Sequence, residues 1–375
     1  MIQTSHLPIG FGVLQKRIIQ NMQKYQDRII PPNPSHSPKT KPIKTLSYRQ
    51  QAIKLKTMNK QKEKHSWKKD GLGINPLWYL ILLSVSFVLI LIGTFFDYPL
   101  SKAIVDTKSP VGGFVETLGV SFSFTMILLG GVSLFKALFP SKKKSLKALA
   151  VLILILTFSL SVYYISHHII NNRSRDVTYG ITFQPLVSYL ISLAISLFFI
   201  ALYFYAIKSQ DRKYLILMGV LILGLMLTQT LVIELLKRLA CRPRYRYLID
   251  STLNTKGETF SPIYLFKPFK FHDDYHKSFP SGHTATAAVT LLLPLLSKVL
   301  RHPFKHSDLA LFLISLIYTV FVAFFRIQYG AHFLSDVSTG LFITTAFLLL
   351  YLTIANRIYA KKKKKKKKKN ELKQA

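Results

Sequence analysis

The sequence predicts an all-α membrane protein, a polytopic helical bundle of about eight transmembrane helices. Half of its 375 residues are apolar, yet 51 Lys and Arg stand against 16 Asp and Glu. Membrane proteins with basic loops combine these two properties, and soluble proteins seldom do. The apolar residues form blocks of about 20 residues, the length that crosses a bilayer. The positive charge lies in the tails and in short loops between these blocks, which argues against nucleic acid as the partner.

Eight blocks are candidates for transmembrane helices. Only helices and closed barrels satisfy every backbone group in lipid, and barrel strands alternate in polarity, which these blocks do not. The candidates are residues 76–96, 117–138, 146–168, 184–207, 214–236, 282–300, 308–325 and 333–356.

The basic residues predict the orientation of the helices. Lysines and arginines precede the first block and follow the second, fourth, sixth and eighth. Eight crossings put all of them on one side, which the positive-inside rule makes cytoplasmic, together with both termini. Residues 237–281 are basic as well but fall on the outer side, and an anionic ligand would explain their charge.

The two ends of the chain have the composition of tails. Residues 1–75 are polar, basic and rich in Pro, Gln and Lys, without a signal pattern, and predict a disordered cytoplasmic segment. Met58 offers a second translation start, in which case residues 1–57 would not belong to the natural protein. Residues 358–375 contain nine consecutive lysines and predict a cytoplasmic tail, either simply solvated or attracted to anionic lipid. The single cysteine, Cys241, excludes an intramolecular disulfide and a cysteine metal cluster.

Three clusters of polar residues stand at the ends of predicted helices. Hydropathy alone defined the helices, and the resulting topology puts all three clusters on the outer side. They are KRLACRPRYR at 237–246, FPSGHT at 279–284 and FRIQYGAHFLSD at 325–336.

Together the clusters supply the groups that a phosphate-ester site requires. Lys237, Arg244 and Arg326 offer charge-assisted donors to phosphate oxygens. His332 and Asp336 are four residues apart, so on a helix the carboxylate would hold one ring nitrogen and leave the other free to attack phosphorus. His283 remains to protonate the leaving oxygen.

Ser281 and Gly282 open a predicted helix, whose first N–H groups and positive dipole end suit an anion. Ser281 can cap the helix or donate its hydroxyl, and Gly282 lets the backbone approach a ligand. The same residues also have purely structural interpretations. Ser-Gly after Pro is a common helix start, and a histidine or arginine at a membrane edge is often only interfacial. Three spaced clusters on one side favour the functional interpretation.

The spacing of these residues resembles the type 2 phosphatidic acid phosphatase family, whose relatives include the vanadium haloperoxidases. The resemblance covers residues 237–336. The residues that carry it are Lys237, six residues, Arg244; then Pro280-Ser281-Gly282-His283; then Arg326, five residues, His332, three residues, Asp336.

The chain departs from the family pattern at two positions. Tyr245 stands where the family usually has proline, and Phe325 where it usually has serine. Because Pro243 precedes Arg244, Arg242 is an alternative or additional phosphate ligand.

The resemblance implies a phosphatase core over residues 213–357, preceded by four helices within 76–212, two of them additional to the family core. It implies hydrolysis of a lipid phosphate or diphosphate at the outer leaflet, without metal or cofactor. His332 would form a phosphohistidine, Asp336 would orient it, and His283 would protonate the leaving group. The phosphate would be held by Lys237, Arg244, Ser281, Gly282 and Arg326.

Two other functions remain open at this stage. A non-catalytic lipid-headgroup binding or transport protein would use the same basic site, and a vanadate-dependent haloperoxidase would need the same pocket, although those relatives are typically soluble. Residues 262–272, which include Lys267, Lys270 and His272 among aromatic residues, would form either a lid over the site or an interfacial loop.

Overall fold

The computed structural model describes residues 72, 74–171, 184–208, 211–263, 265 and 274–371. The predicted tail over residues 1–75 and the predicted lid over 262–272 lie almost entirely outside these ranges. The described residues form α-helices, short 3₁₀ helices and one isolated β-bridge between Ile207 and Leu300.

The helices confirm the predicted all-α fold class. Within the described residues, seven helical segments are long and apolar enough to cross a membrane, which makes this a multi-pass membrane protein. The α-helices are α1 Pro76–Ile104, α2 Pro110–Thr117, α3 Ser121–Leu138, α4 Lys144–Asn171, α5 Pro185–Ala206, α6 Arg212–Ala240, α7 Tyr245–Leu248, α8 Gly282–Ala288, α9 Ser307–Gln328 and α10 Leu334–Glu371; the 3₁₀ helices are Asp274–His276 and Val289–Lys298.

Several helices begin directly after a polar residue whose side chain accepts hydrogen bonds from N–H groups of the first turn. Asn75 accepts a hydrogen bond from Leu77 N at 3.0 Å, and Ser109 accepts one from Gly112 N at 3.2 Å, each just before a proline at the first helical position. Asp211 caps α6 through Lys213 N and Tyr214 N. Such side chains satisfy N–H groups that the first turn leaves without partners.

The sixth predicted block, 282–300, is not one regular α-helix. It is α8 followed directly by the 3₁₀ helix Val289–Lys298, which contains Pro294. Proline has no N–H for the preceding turn and clashes with it, so α-helical geometry is disfavoured here. Because a 3₁₀ helix rises about 2.0 Å per residue against 1.5 Å, these 17 residues extend about 30 Å, still enough to cross a bilayer.

Side chains from neighbouring helices donate to carbonyls of this irregular segment. Tyr79 Oη donates to Leu291 O at 2.8 Å, Tyr214 Oη to Leu295 O at 2.7 Å, and Ser315 Oγ to Thr290 O at 2.7 Å. Non-helical backbone is tolerated at membrane depth only where protein surrounds it in this way.

The helix ends gather into two groups at opposite ends of the bundle. At one end Lys136 donates to the carbonyls of Phe204 and Ile207, and Arg301 N donates to Ala206 O at 2.8 Å. This is the basic end, because all the short basic loops lie there. At the other end α1, α4, α6 and α9 finish, and α2–α3, α5, α8 and α10 begin. The three polar clusters lie at this end, called here the site end.

The centre of the bundle is α2–α3, whose apolar window is 78% buried, whereas the windows of α4 and α5 are 22% buried. The large exposed hydrophobic side chains of α1, α4, α5 and α9 face outward, as contact with lipid requires.

We expect Tyr79→Phe and Tyr214→Phe each to lower the free energy of unfolding by about 1 kcal/mol, because each leaves a carbonyl of the 3₁₀ segment without its hydroxyl donor. Reversible unfolding in mixed micelles measures this. Tyr205→Phe, whose ring is 59% exposed, is the matched control. Equal stability of all three variants would show that these hydroxyls do not support the segment.

Candidate active site

A cavity of about 630 Å³ opens at the site end and brings together residues from all three polar clusters. Of the predicted site residues, Lys237, Arg244, Gly282, His283 and His332 line it. Ser281, Arg326 and Asp336 are fully buried and do not line it. The fold therefore assembles one site from segments up to 95 residues apart, from Lys237 to His332.

His332 precedes α10 by two residues and is placed by the turn that follows α9. Gly330 adopts φ +67°, a conformation that side chains disfavour, and its carbonyl accepts from Arg246 N at 2.9 Å. The chain then folds back, so that His332 N donates to Arg326 O at 3.1 Å. The turn thus sets His332 beside Arg326.

The main-chain carbonyl of Ser278, rather than Asp336, holds the ring of His332. Nδ1 lies 2.6 Å from Ser278 O but 3.9 Å from Asp336 Oδ2, which differs from the predicted direct contact. A carbonyl only accepts, so Nδ1 carries the hydrogen and Nε2 of the neutral ring keeps its lone pair. Asp336 acts one step away, since its Oδ2 accepts from Ser278 Oγ at 2.5 Å and Phe333 N at 2.8 Å.

Arg242 is not placed to bind phosphate in the cavity, which corrects that prediction. Its Nη1 donates to Asp336 Oδ1 at 2.6 Å, its Nη2 to Asp97 Oδ2 at 2.9 Å and its Nε to Ser261 O at 2.7 Å. The guanidinium also lies 4.2 Å from the centre of the Phe333 ring. Arg242 is 2% exposed and does not line the cavity.

Lys237 and Gly282 meet at the cavity wall. A Cβ added to Gly282 would lie 3.0 Å from Lys237 Nζ, so the glycine leaves the room that the ammonium group occupies. Lys237 Nζ also donates to Glu234 Oε1 at 2.7 Å, one turn earlier on α6. The lysine is therefore held between its own helix and the first residue of α8.

A buried carboxylate that sequence reasoning missed, Glu116, faces three arginines. Arg246 binds it with two hydrogen bonds of 2.6 and 3.0 Å. Arg326 Nη1 lies 3.4 Å and Arg244 Nη1 lies 3.9 Å from its oxygens. Glu116 is 3% exposed, so this negative charge offsets the positive charge of the site inside the protein.

Ser281 caps α8, as one of its two predicted roles requires. Its hydroxyl lies 3.4 Å from Thr284 N and 3.1 Å from Thr284 Oγ1. His283 follows in the first turn and reaches the cavity, where its Nε2 lies 3.4 Å from Glu116 O. The ring of His168, from α4, stands edge-on to it at 5.2 Å.

The environment of His332 lowers the pKa of its imidazole well below the usual value for histidine. Burial is the largest cause, followed by the positive charges of Arg326, Arg244 and Lys237. The ring is therefore neutral at neutral pH, the form in which Nε2 can act as a nucleophile.

The two departures from the expected pattern leave the cavity intact. Tyr245 is 6% exposed and packs against Phe333 behind the wall, while Arg244 before it still reaches the cavity. Phe325 packs among Phe321 and Phe324 on the lipid-facing side of α9.

Residues 213–360 match the family model of the PAP2 superfamily. This part of the chain, 148 of the 375 residues, is similar to the PAP2 superfamily. No curated protein and no solved structure matches the chain.

The PAP2 segment contains every site residue that the sequence predicted, but it does not contain the whole site. Glu116 and Asp97, which pair with its arginines, and His168, which lines the cavity, all lie before residue 213. Both acids interrupt long apolar stretches, where a carboxylate is costly without a partner. An acidic residue within an apolar stretch was therefore the sequence signal that could have identified Asp97 and Glu116 as parts of the site.

Glu116→Gln tests the link between this carboxylate and the PAP2 arginines. We expect a loss of about 3–5 kcal/mol in stability, because the amide keeps the shape but removes the negative charge that Arg246 and Arg326 face in the interior, while Arg244 keeps its ion pair with Asp274. Thermal unfolding in detergent measures it. Glu258→Gln, which disturbs only the partly exposed pair with His276, is the control. Equal melting of the two variants would contradict the role assigned to Glu116.

Proposed function

We propose that this protein is an integral membrane phosphatase that hydrolyses a lipid phosphate or diphosphate through a phosphohistidine. Members of the PAP2 superfamily are phosphatases in general. The observation that carries the proposal is His332, with Nδ1 held by Ser278 O and with Lys237, Arg244 and Arg326 around it.

In the first step Lys237 and Arg244, which line the cavity, hold the phosphate oxygens, while Arg326 adds positive charge from behind the wall. His332 Nε2 attacks phosphorus in line. The P–N bond forms as the bond to the leaving oxygen breaks. His283, on the same cavity wall, gives its proton to that oxygen from the protonated form that the negative charge of the bound phosphate favours. The carbonyl of Ser278 stabilises the positive ring through Nδ1–H, and Asp336 holds Ser278 in place.

In the second step water attacks phosphorus, and the P–N bond breaks. His283, now neutral, accepts the proton of that water, which restores both histidines and releases inorganic phosphate. No residue outside the cavity wall is required to carry a proton.

A lipid substrate at the outer leaflet is favoured by the setting of the cavity. Apolar side chains such as Phe124, Ile127 and Leu223 line the part away from the charged residues. The positive-inside rule makes the basic end cytoplasmic, and the site end is then extracytoplasmic.

His332→Ala should lower phosphate release from a lipid phosphate by about a thousandfold or more, because the nucleophile is lost. Purified protein in mixed micelles would be tested with phosphatidic acid, undecaprenyl diphosphate and phosphatidylglycerol phosphate. Wild type quenched in alkali should retain labelled phosphate that acid releases, and His332→Ala should not. His302→Ala, at an exposed position of the basic end, is the control.

Retention of the label by His332→Ala would refute the assigned nucleophile. Binding of these lipids by the wild type without phosphate release would instead favour the headgroup binding or transport function.

The orientation can be tested with single cysteines, because the natural Cys241 is buried. A membrane-impermeant maleimide should label Ser251→Cys in intact cells, since Ser251 is exposed on the connection after α7. It should label Lys143→Cys, exposed at the basic end, only after the membrane is opened. The reverse pattern would place the site on the cytoplasmic side.

A further inference from the structure

The cavity continues from the charged site into the bundle, between α4 and α6. The face of α6 that lines it carries Leu223, Leu227, Thr230, Glu234 and Lys237 in succession. These residues recur every three or four positions, so they form one stripe of about 21 Å along the helix. The stripe is apolar in the bundle and charged at the site end.

The wall on α4 has the same gradient. Of the five α4 residues that line the cavity, Thr157 lies deepest, Leu160 and Tyr164 follow toward the site end, and His167 and His168 lie at that end, His168 beside His283. The Thr157 hydroxyl donates to Ile153 O of its own helix at 2.8 Å, so the wall presents polar groups mainly at the site end. Two opposed walls that both change from apolar to polar match a molecule with a charged head and an apolar chain.

Close packing shuts the inner end of this space. α3 lies between α4 and α6 and approaches both through adjacent glycines. A Cβ on Gly131 would collide with Thr157 of α4, and one on Gly130 would lie 2.8 Å from Leu223 of α6. Both Thr157 and Leu223 line the cavity, so the glycine pair fixes where the space between the helices ends.

The sides of the space are open to the membrane-facing surface. Leu227 of α6 is 63% exposed and Leu160 of α4 is 43% exposed, yet both line the cavity. Exposure this high in two side chains that line the cavity indicates that the cavity reaches the outer surface beside them. The opening lies between two leucines, which suits an apolar chain and offers nothing to a water-soluble substrate.

We infer that the apolar chain of the substrate occupies this groove and enters it sideways from the bilayer, between Leu160 and Leu227. This inference rests on the proposed phosphatase function and adds the path and the selectivity. With the phosphate at His332, the start of the chain lies along Thr230 and Leu227, and the remainder of a long chain passes out into lipid. The residues on α3 and α4 that select the chain precede the PAP2 segment.

The test compares hexadecyl phosphate with butyl phosphate, which carry the same headgroup on a long and a short chain. For Leu227→Trp, which fills the opening, we expect the ratio of kcat/KM for hexadecyl phosphate to kcat/KM for butyl phosphate to fall about tenfold. Leu160→Trp, on the opposite side of the opening, should have the same effect.

The matched controls are Leu231→Trp and Leu156→Trp. Each lies one turn away on the same helix, they are 62% and 52% exposed, and neither lines the cavity. The ratio should stay at the wild-type value in both. Hydrolysis of butyl phosphate reports directly that each variant is folded.

The outcomes separate the two proposals. A wild type that releases phosphate from neither compound overturns the proposed function, and this inference with it. A wild type that hydrolyses both, with equal ratios in the groove variants and the controls, overturns the path between α4 and α6 alone.

Discussion

The structure depends most on a single buried guanidinium, that of Arg242. It joins α1 through Asp97, the start of α10 through Asp336, and the connection after α7 through the carbonyl of Ser261. All these groups are almost wholly buried, and removing one partner of a buried pair typically costs about 3–5 kcal/mol. The same Asp336 holds Ser278, and Ser278 holds the ring of His332. Arg242, which does not line the cavity, thus sets the position of His332, which does.

Buried ion pairs also position the side chains that we propose bind phosphate, and here the shared partner is Glu116. An anion-binding site collects positive charge, and in an apolar interior that charge needs compensation when the site is empty. Arg246 holds Glu116 with short hydrogen bonds, while Arg244 and Arg326 face it at longer distances. The tight pair fixes the carboxylate, and Arg244, at the longer distance of 3.9 Å, lines the cavity in which the phosphate would bind.

Hydropathy was sufficient to predict the helices, because each block had to be long enough to cross lipid. Hydropathy did not distinguish the segment around Pro294 from a regular helix. A single proline changes the backbone geometry but hardly changes the mean hydropathy of the block. Spacing predicted that Lys237, Arg244, His283 and His332 converge, and they line one cavity. It did not predict that Ser278 O would hold His332, because a main-chain acceptor leaves no mark in the sequence. Nor did it separate Arg242 from Arg244, which are two residues apart and point to different partners.

The pairing of Asp97 and Glu116 with distant arginines has a consequence for how the chain is made. Asp97 precedes its partner Arg242 by 145 residues, and Glu116 precedes Arg246 by 130. At about 5–20 residues per second, each acid is synthesised roughly 7–29 s before the arginine that will neutralise it. During that interval the first helices cannot take their final places, because a carboxylate sealed in apolar surroundings without its partner is too costly. The N-terminal half of the bundle is therefore the first to be inserted and among the last to be completed.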